Sequence, residues 1–378
     1  MTKDYNNEKA KTNWPATLVL GLTFLAAITI VPWYGIVYGF SAWAWAFFAI
    51  FLVAGGIGIG AGYHRLWSHR AYEAHWIMRL YLAIVGGMTV QNSILVWCIR
   101  HRFHHRDVDD NEKDPYSIGR GFWFAHIGWM LKDYESGRLD FSVVPDLERD
   151  AIVAWQHKYY GLLVLTTNVA LPLLLGWVVG DIWGVFLLAG ILRLVVSHHV
   201  TFFINSLAHM WGSRPYSDEN SARDNWFLAI VTYGEGYHNF HHLFQSDYRN
   251  GIRWWQYDIN KWFIKTCSWV GLAKNLKRTP NFKIQRARLA MVFKRAQAKI
   301  DRSAENPRWR ELFETEYKQF RQTIAEWQQL QMERVQLSKQ KLVDAIDQSA
   351  LTARYRELER ELRMQRKRVM MLTAQFYG

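Results

Sequence analysis

Nine of the chain's 14 histidines fall into four short groups: His64 and His69 in HRLWSH, His101, His104 and His105 in HRFHH, His209 in NSLAH, and His238, His241 and His242 in HNFHH. Near pH 7 imidazole is the side chain that ligates iron, copper or zinc as a neutral donor. Clusters of this size imply a metal centre with more than one ion. In each HxxHH group, positions i, i+3 and i+4 share one face of an α-helix, so three rings could point at one spot. The bland alternative is a set of surface histidines at a membrane interface.

HRLWSH behaves differently. Five residues of α-helix rotate about 140° past a full turn, so His64 and His69 cannot share a face of an unbroken α-helix. They are expected at the end of an apolar stretch and in the turn leaving it, just after the small-residue run GGIGIGAG at 55–62. Zinc generally takes four ligands. Nine imidazoles divided between two ions give about five or six positions each once water is added, which suits iron and oxygen activation better. A pair of ExxH motifs, which would build a carboxylate-bridged bundle site, is absent. Neutral ligating rings need outer acceptors, for which Asp107, Asp109, Asp110, Asp114 and Glu235 are candidates.

The elements that must position these rings are apolar. Residues 16–31 (extended through Tyr34), 43–62, 160–179 and 182–203 approach or reach the ~20 residues needed to span a bilayer. Neither hairpin connection holds a Lys or Arg, whereas the segments around the histidines hold many, so the positive-inside bias puts every histidine group and both termini in the cytoplasm. A fifth apolar segment, 77–97, must not cross. If it did, His64 and His69 would be separated by the membrane from His101–His105, so an interfacial helix is expected there. Arg193, His198 and His199 interrupt the fourth stretch and are read as packed polar contacts between helices.

Of the chain's 378 residues, 20 are Trp, and aromatic residues make up 16%. Net charge is +13, and from Lys274 onward 24 Lys+Arg face 12 Asp+Glu, so the basicity belongs to the tail. Beside a membrane such a tail faces anionic lipid; no nucleic-acid motif accompanies it, and no nucleic-acid partner is expected. Cys98 and Cys267 form no CxxC, which argues against disulfides and thiolate sites. The polar start, MTKDYNNEKAKTNWP, does not read as a cleavable signal, so the first span is expected to direct insertion. Phe313, Tyr317, Phe320, Ile324 and Trp327, then Leu351, Tyr355, Leu358 and Leu362, recur at heptad-like spacing. They predict two amphipathic helices packed as a hairpin or coiled coil, with self-association as one outcome. Pro280 and Pro307 bracket an expected linker.

HRLWSH, HRFHH, DPYSIGRGF, HIGWM, NSLAHMWGSRPY and GEGYHNFHH occur in that order, and over roughly 15–300 the chain resembles the membrane acyl-CoA desaturases of the stearoyl-CoA, delta-9 type. The resemblance implies an all-α integral membrane protein: four transmembrane helices with a cytoplasmic helical cap holding a di-iron centre. The expected divisions are a cytoplasmic segment 1–14, a membrane desaturase domain 15–300 and, outside the resemblance, a charged helical extension 301–378. The implied reaction inserts a cis double bond into a saturated long-chain acyl thioester with O2 and two electrons. By position, the nine histidines fall on the family's ligands to two iron ions, and Asn205 on the asparagine that reaches iron through a water. Gln91, Trp97 and Thr201 match the set at the bend of the acyl tunnel, and Asn92 a residue near the CoA headgroup.

Ile99 and Arg100 stand where the animal enzymes have Arg-Asp, and Phe202 replaces a Trp, so a lipid-bound or carrier-protein acyl chain stays open beside acyl-CoA. Phe47 or Phe48 could limit chain length or simply pack between helices. The absence of an HPGG segment implies a separate electron donor, of ferredoxin, rubredoxin or cytochrome b5 type with its reductase. A basic cytoplasmic face could steer an acidic donor or contact lipid headgroups. A histidine-box membrane alkyl hydroxylase and a non-enzymatic metal-binding scaffold are the competing readings.

Overall fold

In the computed structural model, which describes residues 10–301, 307–339 and 345–375, α1 (Trp14–Val37) and α2 (Ala42–Ser68) lead into two shorter helices, α3 (Trp76–Gly87) and α4 (Ile94–Asp107). They are followed by α5 (Tyr160–Val179) and α6 (Ile182–Met210). By length and composition α1, α2, α5 and α6 can each cross a bilayer. Their outward residues are the reverse of a water-facing surface: Ile36, Val37, Trp177 and Val178 are all more than half exposed. The two hairpin tips are tied together by Asp181. Its carboxylate accepts from Gly184 N at the start of α6, from Ser41 N before α2, and from the Tyr34 hydroxyl of α1.

α3 has 12 residues, a length of about 18 Å against a hydrocarbon core of about 30 Å. At that length it is too short to cross a bilayer by itself. It lies tight against α2, where a Cβ on Gly58 would overlap the backbone of Gly86. Small residues thus let two helix backbones touch, which is what the glycine run in α2 provides.

Later helices of the unit formed by residues 1–214 and 220–278 include α7 (Trp226–Val231), α8 (His238–Leu243) and α9 (Ile259–Trp269). An antiparallel pair of short strands, β1 (Glu73–Ala74) and β2 (Ala273–Lys274), joins Glu73 to Lys274. Trp226 and Phe227 on α7, Trp262 and Trp269 on α9, and Trp254 and Trp255 before it all face outward. Tryptophan is enriched where protein meets the membrane–water boundary.

A second unit holds residues 215–219 and 279–378, built on α10 (Asn281–Ile300), α11 (Pro307–Lys339) and α12 (Ala345–Gln375). The interval between Pro280 and Pro307, expected as a linker, is therefore mostly helix. Phe282, Leu289, Phe293 and Ala296 recur at 7, 4 and 3 residues and bury one face of α10. Their partners are Phe313, Phe320 and Trp327 of α11 and Leu358, Leu362 and Val369 of α12, with Phe282 stacked on Trp327 at 4.4 Å. Leu358 is fully buried. Its replacement by alanine is expected to cost this unit about 2–5 kcal/mol. Limited proteolysis of the full chain should then cut α11 and α12 sooner while peptides from α1–α6 stay protected.

Candidate metal centre and its cavity

All nine histidines come together in two groups: His64, His69, His101, His105 and His241, and His104, His209, His238 and His242. Within each group the ligand nitrogens lie within 4.8 Å of one another. Each HxxHH segment serves both groups instead of aiming three rings at one point. On an α-helix, i+4 lies about 40° to one side of residue i and i+3 about 60° to the other. His101 and His105 of α4 therefore reach the first group while His104 reaches the second. On α8 the pair His238 and His242 reaches the second group and His241 the first.

His64 and His69 share the first group although α-helical geometry would part them. From Gly58 to Ser68, α2 is wound as a π-helix, and the amide of His69 donates to His64 O at 3.1 Å. That i→i+5 bond carries residue 69 back over residue 64, leaving the ring centroids 4.8 Å apart. His209 arrives from the last turn of α6, beyond a break in the helix at Ser206.

Outer partners hold the ring nitrogens of His64, His104, His209 and His101 that turn away from the groups. Nδ1 of His64 lies 2.9 Å from Glu235, and Nδ1 of His104 lies 2.9 Å from Asp114. His209 Nδ1 donates to Ser221 Oγ at 2.7 Å, and Ser221 donates in turn to Asp109. The Tyr116 hydroxyl sits 3.3 Å from His101 Nδ1. Of the acidic residues considered from sequence, Asp114 and Glu235 act directly and Asp109 through Ser221. Asp107 pairs with Arg106, and Asp110 caps a turn at Glu112. Ser221 and Tyr116 carry no sequence signal that separates them from ordinary loop residues.

Glu235 is itself braced by Arg65 at 2.7 Å, Asn250 at 2.6 Å and Asn260 at 3.1 Å. Burial pushes its carboxyl pKa up, but the neighbouring Arg65 and His64 outweigh that and hold it well below the usual carboxylate range. Burial, reinforced by mutual repulsion, pushes His69, His101, His105, His241 and His242 well below an ordinary imidazole. His238 is brought down to about 3 by burial and by His104. These rings are neutral at pH 7. With Nδ1 turned to the Glu235 carboxylate, Nε2 of His64 faces His241 Nε2 at 2.9 Å. Converging neutral imidazoles in a buried site call for a cation between them.

A metal fits this donor set. Replacing Asp114 by asparagine removes the carboxylate that orients His104, and metal affinity is expected to fall about 10–100-fold. Metal retained after graded chelation, measured by mass spectrometry, checks this.

A cavity of about 620 Å³ opens beside the centre, lined by His64, His101 and His238. Its walls include Trp97, Ile59, Phe202 and Ile204, and Lys132, Asp133 and Arg138 also line it. Gln91, Asn92, Thr201 and Asn205 line it too, and Gln91 donates to the Thr201 hydroxyl at 3.0 Å. Trp97 stacks on His101 at 4.7 Å, and both line the cavity. Phe47 and Phe48 lie elsewhere, packed with Val31, Ala44 and Phe51. His198 donates to Thr89 O, and His199 lies 3.0 Å from His126; neither enters a metal group.

Residues 42–268 match the fatty acid desaturase family. Acyl-CoA desaturase 1 of Saccharomyces cerevisiae is 40% identical over 308 residues, which cover 80% of this chain and 58% of that protein. Stearoyl-CoA desaturase 5 of Bos taurus is 40% identical over 242 residues, 62% of this chain and 70% of that protein. The sn-2 palmitoyl-lipid 9-desaturase of Nostoc sp. is 34% identical over 275 residues, 71% of this chain and 91% of that protein. The chain thus spans little more than half of the yeast relative but nearly all of the cyanobacterial one. With histidines from four separate segments meeting as they do, these matches make the chain a member of the fatty acid desaturase family.

Proposed function

We propose that this chain inserts a cis double bond into a saturated long-chain fatty acyl thioester, delta-9 on acyl-CoA, using O2 and electrons from a separate donor protein. The observation that carries the reading is one cavity bounded by residues of both metal groups and by Trp97, Ile59, Phe202 and Ile204, since these give a methylene chain apolar contacts beside the imidazoles. Acyl-CoA is favoured as substrate because relatives at 40% identity are named acyl-CoA and stearoyl-CoA desaturases.

We assign two iron ions to the nine histidines, with Asn205 reaching one through a water. Nearest ligand nitrogens stand 2.8 Å apart for His69–His101, 3.0 Å for His105–His241 and 3.1 Å for His209–His238. Nitrogens this close can ligate one ion, and the assignment to iron follows the family match and the all-imidazole donor set. When bound, the iron supplies oxygen activation. The chain's own residues do the rest. Glu235, Asp114 and Ser221 keep the ligating rings in the neutral tautomer that presents Nε2. Trp97, Phe202 and Ile204 keep water from the acyl chain, and Gln91 with Thr201 fixes its bend.

Both termini and the histidine groups are assigned to the cytoplasmic side, where a ferredoxin-, rubredoxin- or b5-type donor can reach them. Purified protein given stearoyl-CoA, O2 and a reducing donor should produce a monoenoic chain and carry two irons. An alcohol in place of an alkene would move the assignment to hydroxylation. An unchanged substrate with a full metal load would leave a metal-binding scaffold.

A further inference from the structure

The turn between α3 and α4 is strained where it meets the cavity. Val90 and Asn92 both have left-handed backbones, with φ of 56° and 76°, and Val90 is β-branched, for which that region is a true outlier. Such strain persists only where surrounding contacts over-determine it. Here the contacts come from side chains of α6. Arg193 Nη1 donates to Met88 O at 3.1 Å, His198 Nε2 donates to Thr89 O at 2.9 Å, and the Thr201 hydroxyl accepts from Gln91 at 3.0 Å.

Arg193 is fully buried and has no carboxylate within ion-pair distance among the described residues. Its other nitrogens donate to Ala189 O at 2.8 Å and Asn168 Oδ1 at 2.7 Å. A charge at membrane depth held by backbone and amide oxygens and the face of Phe51, with no carboxylate, is costly, and such residues are retained for a function. The bonded positions on α6 run in the same order as those on the turn: 193, 198 and 201 against 88, 89 and 91. Asn205 and His209 follow on the same helix, Asn205 about 6 Å beyond Thr201.

We propose that Arg193 and His198 are positioning residues that lock the strained turn in register with α6, and that this register selects which carbon–carbon bond of the acyl chain is desaturated. The proposal rests on the desaturase reading above. The bend contact Gln91–Thr201 and the metal-side residues Asn205 and His209 share one helix. A slip of the turn along that helix moves the bend relative to the metal groups, and with it the methylene presented. Thr201 cannot set the register alone, because Gln91 is a flexible side chain, whereas Arg193 and His198 grip backbone carbonyls.

The test compares wild type with His198→Phe, which keeps a flat ring against Phe202 but loses the donor, and His198→Gln, which keeps a donor nitrogen at similar reach. Arg193→Met and Arg193→Lys form the second pair. Double-bond positions in the products are read by gas chromatography–mass spectrometry, and amide exchange at 89–93 by mass spectrometry. His198→Phe and Arg193→Met should raise the minor positional isomers about tenfold, the factor that about 1.4 kcal/mol of lost hydrogen bonding gives. Exchange at 89–93 should quicken, bound metal should stay at the wild-type level, and His198→Gln and Arg193→Lys should return towards one isomer. An unchanged isomer ratio in His198→Phe, with only yield reduced, overturns the proposal in favour of plain packing. If Arg193→Met does not accumulate, the His198 pair decides. A wild type that makes no monoene removes the desaturase reading and this proposal together, whereas single-isomer variants beside an active wild type remove this proposal alone.

Discussion

Glu235→Ala is expected to destabilise the protein by about 3–5 kcal/mol, the range for breaking a buried ion pair from one side, and to lose metal at the first histidine group. One carboxylate serves four neighbours: His64 at 2.9 Å, Arg65 at 2.7 Å, Asn250 and Asn260. Removing it leaves Arg65 in a fully buried site with Asp258 as its remaining carboxylate, 2.9 Å away. It also frees the His64 ring to turn its Nε2 from the group. Glu235→Gln should fail nearly as badly, because its amide nitrogen must face donors from at least one of His64, Arg65, Asn250 or Asn260. Glu148→Ala, at an exposed position, should stay within about 0.5 kcal/mol of wild type. Thermal unfolding in detergent and metal content of the purified variants measure both effects. A Glu235→Ala protein as stable and as metal-rich as Glu148→Ala would mean that Glu235 does not organise the site.

How much of this site can be read from sequence depends on how local its geometry is. The HxxHH segments are legible because i, i+3 and i+4 share a face of any α-helix, and α4 and α8 are helical. Sequence alone does not foresee that each segment divides its rings between two groups, since that depends on where the facing helix lies. His64 and His69 defeat α-helical reasoning for a definite cause: the π-wound stretch of α2 changes which residues coincide, and nothing in GIGAGYHRLWS announces the extra residue per turn. Outer partners are harder still. Asp107, Asp109, Asp110 and Asp114 are equivalent by composition, and only the course of the loop after α4 puts Asp114 against His104 and leaves Asp107 beside Arg106. The four spans are plain from hydropathy. α10 is not, because its apolar stripe is sparse among basic residues and emerges only when α11 and α12 supply partners. The strained turn at Val90 is invisible in the sequence, since valine there reads as an ordinary apolar residue.

Stripping the metal is expected to make the protein markedly less stable and newly sensitive to mild acid. An ion bound only by the folded state adds about 4 kcal/mol when its free concentration is about 1,000 times its dissociation constant, and each of the two groups offers one such site. Without an ion, the buried Nε2 atoms of His64 and His241 are left facing each other across 2.9 Å and those of His238 and His242 across 3.1 Å, with no cation between them. The sign of the pH effect follows from the depressed imidazoles. In the unfolded chain these rings take up protons near pH ~6.5, while in the folded metal-free chain burial holds His238 down to about 3 and His69, His101, His105, His241 and His242 well below their usual value. Between those limits the unfolded state binds more protons, so stability falls as pH drops below about 6.5 and is level above it. Bound metal opposes the same protons directly, so the loaded protein should keep its melting temperature from pH 8 to 6.5 and lose ground only where protons displace the ions. Melting curves of chelated and iron-loaded protein at pH 8, 6.5 and 5 separate the two contributions. A chelated protein that melts with the loaded one, at a temperature indifferent to pH, would mean that the histidines do not meet around ions at all.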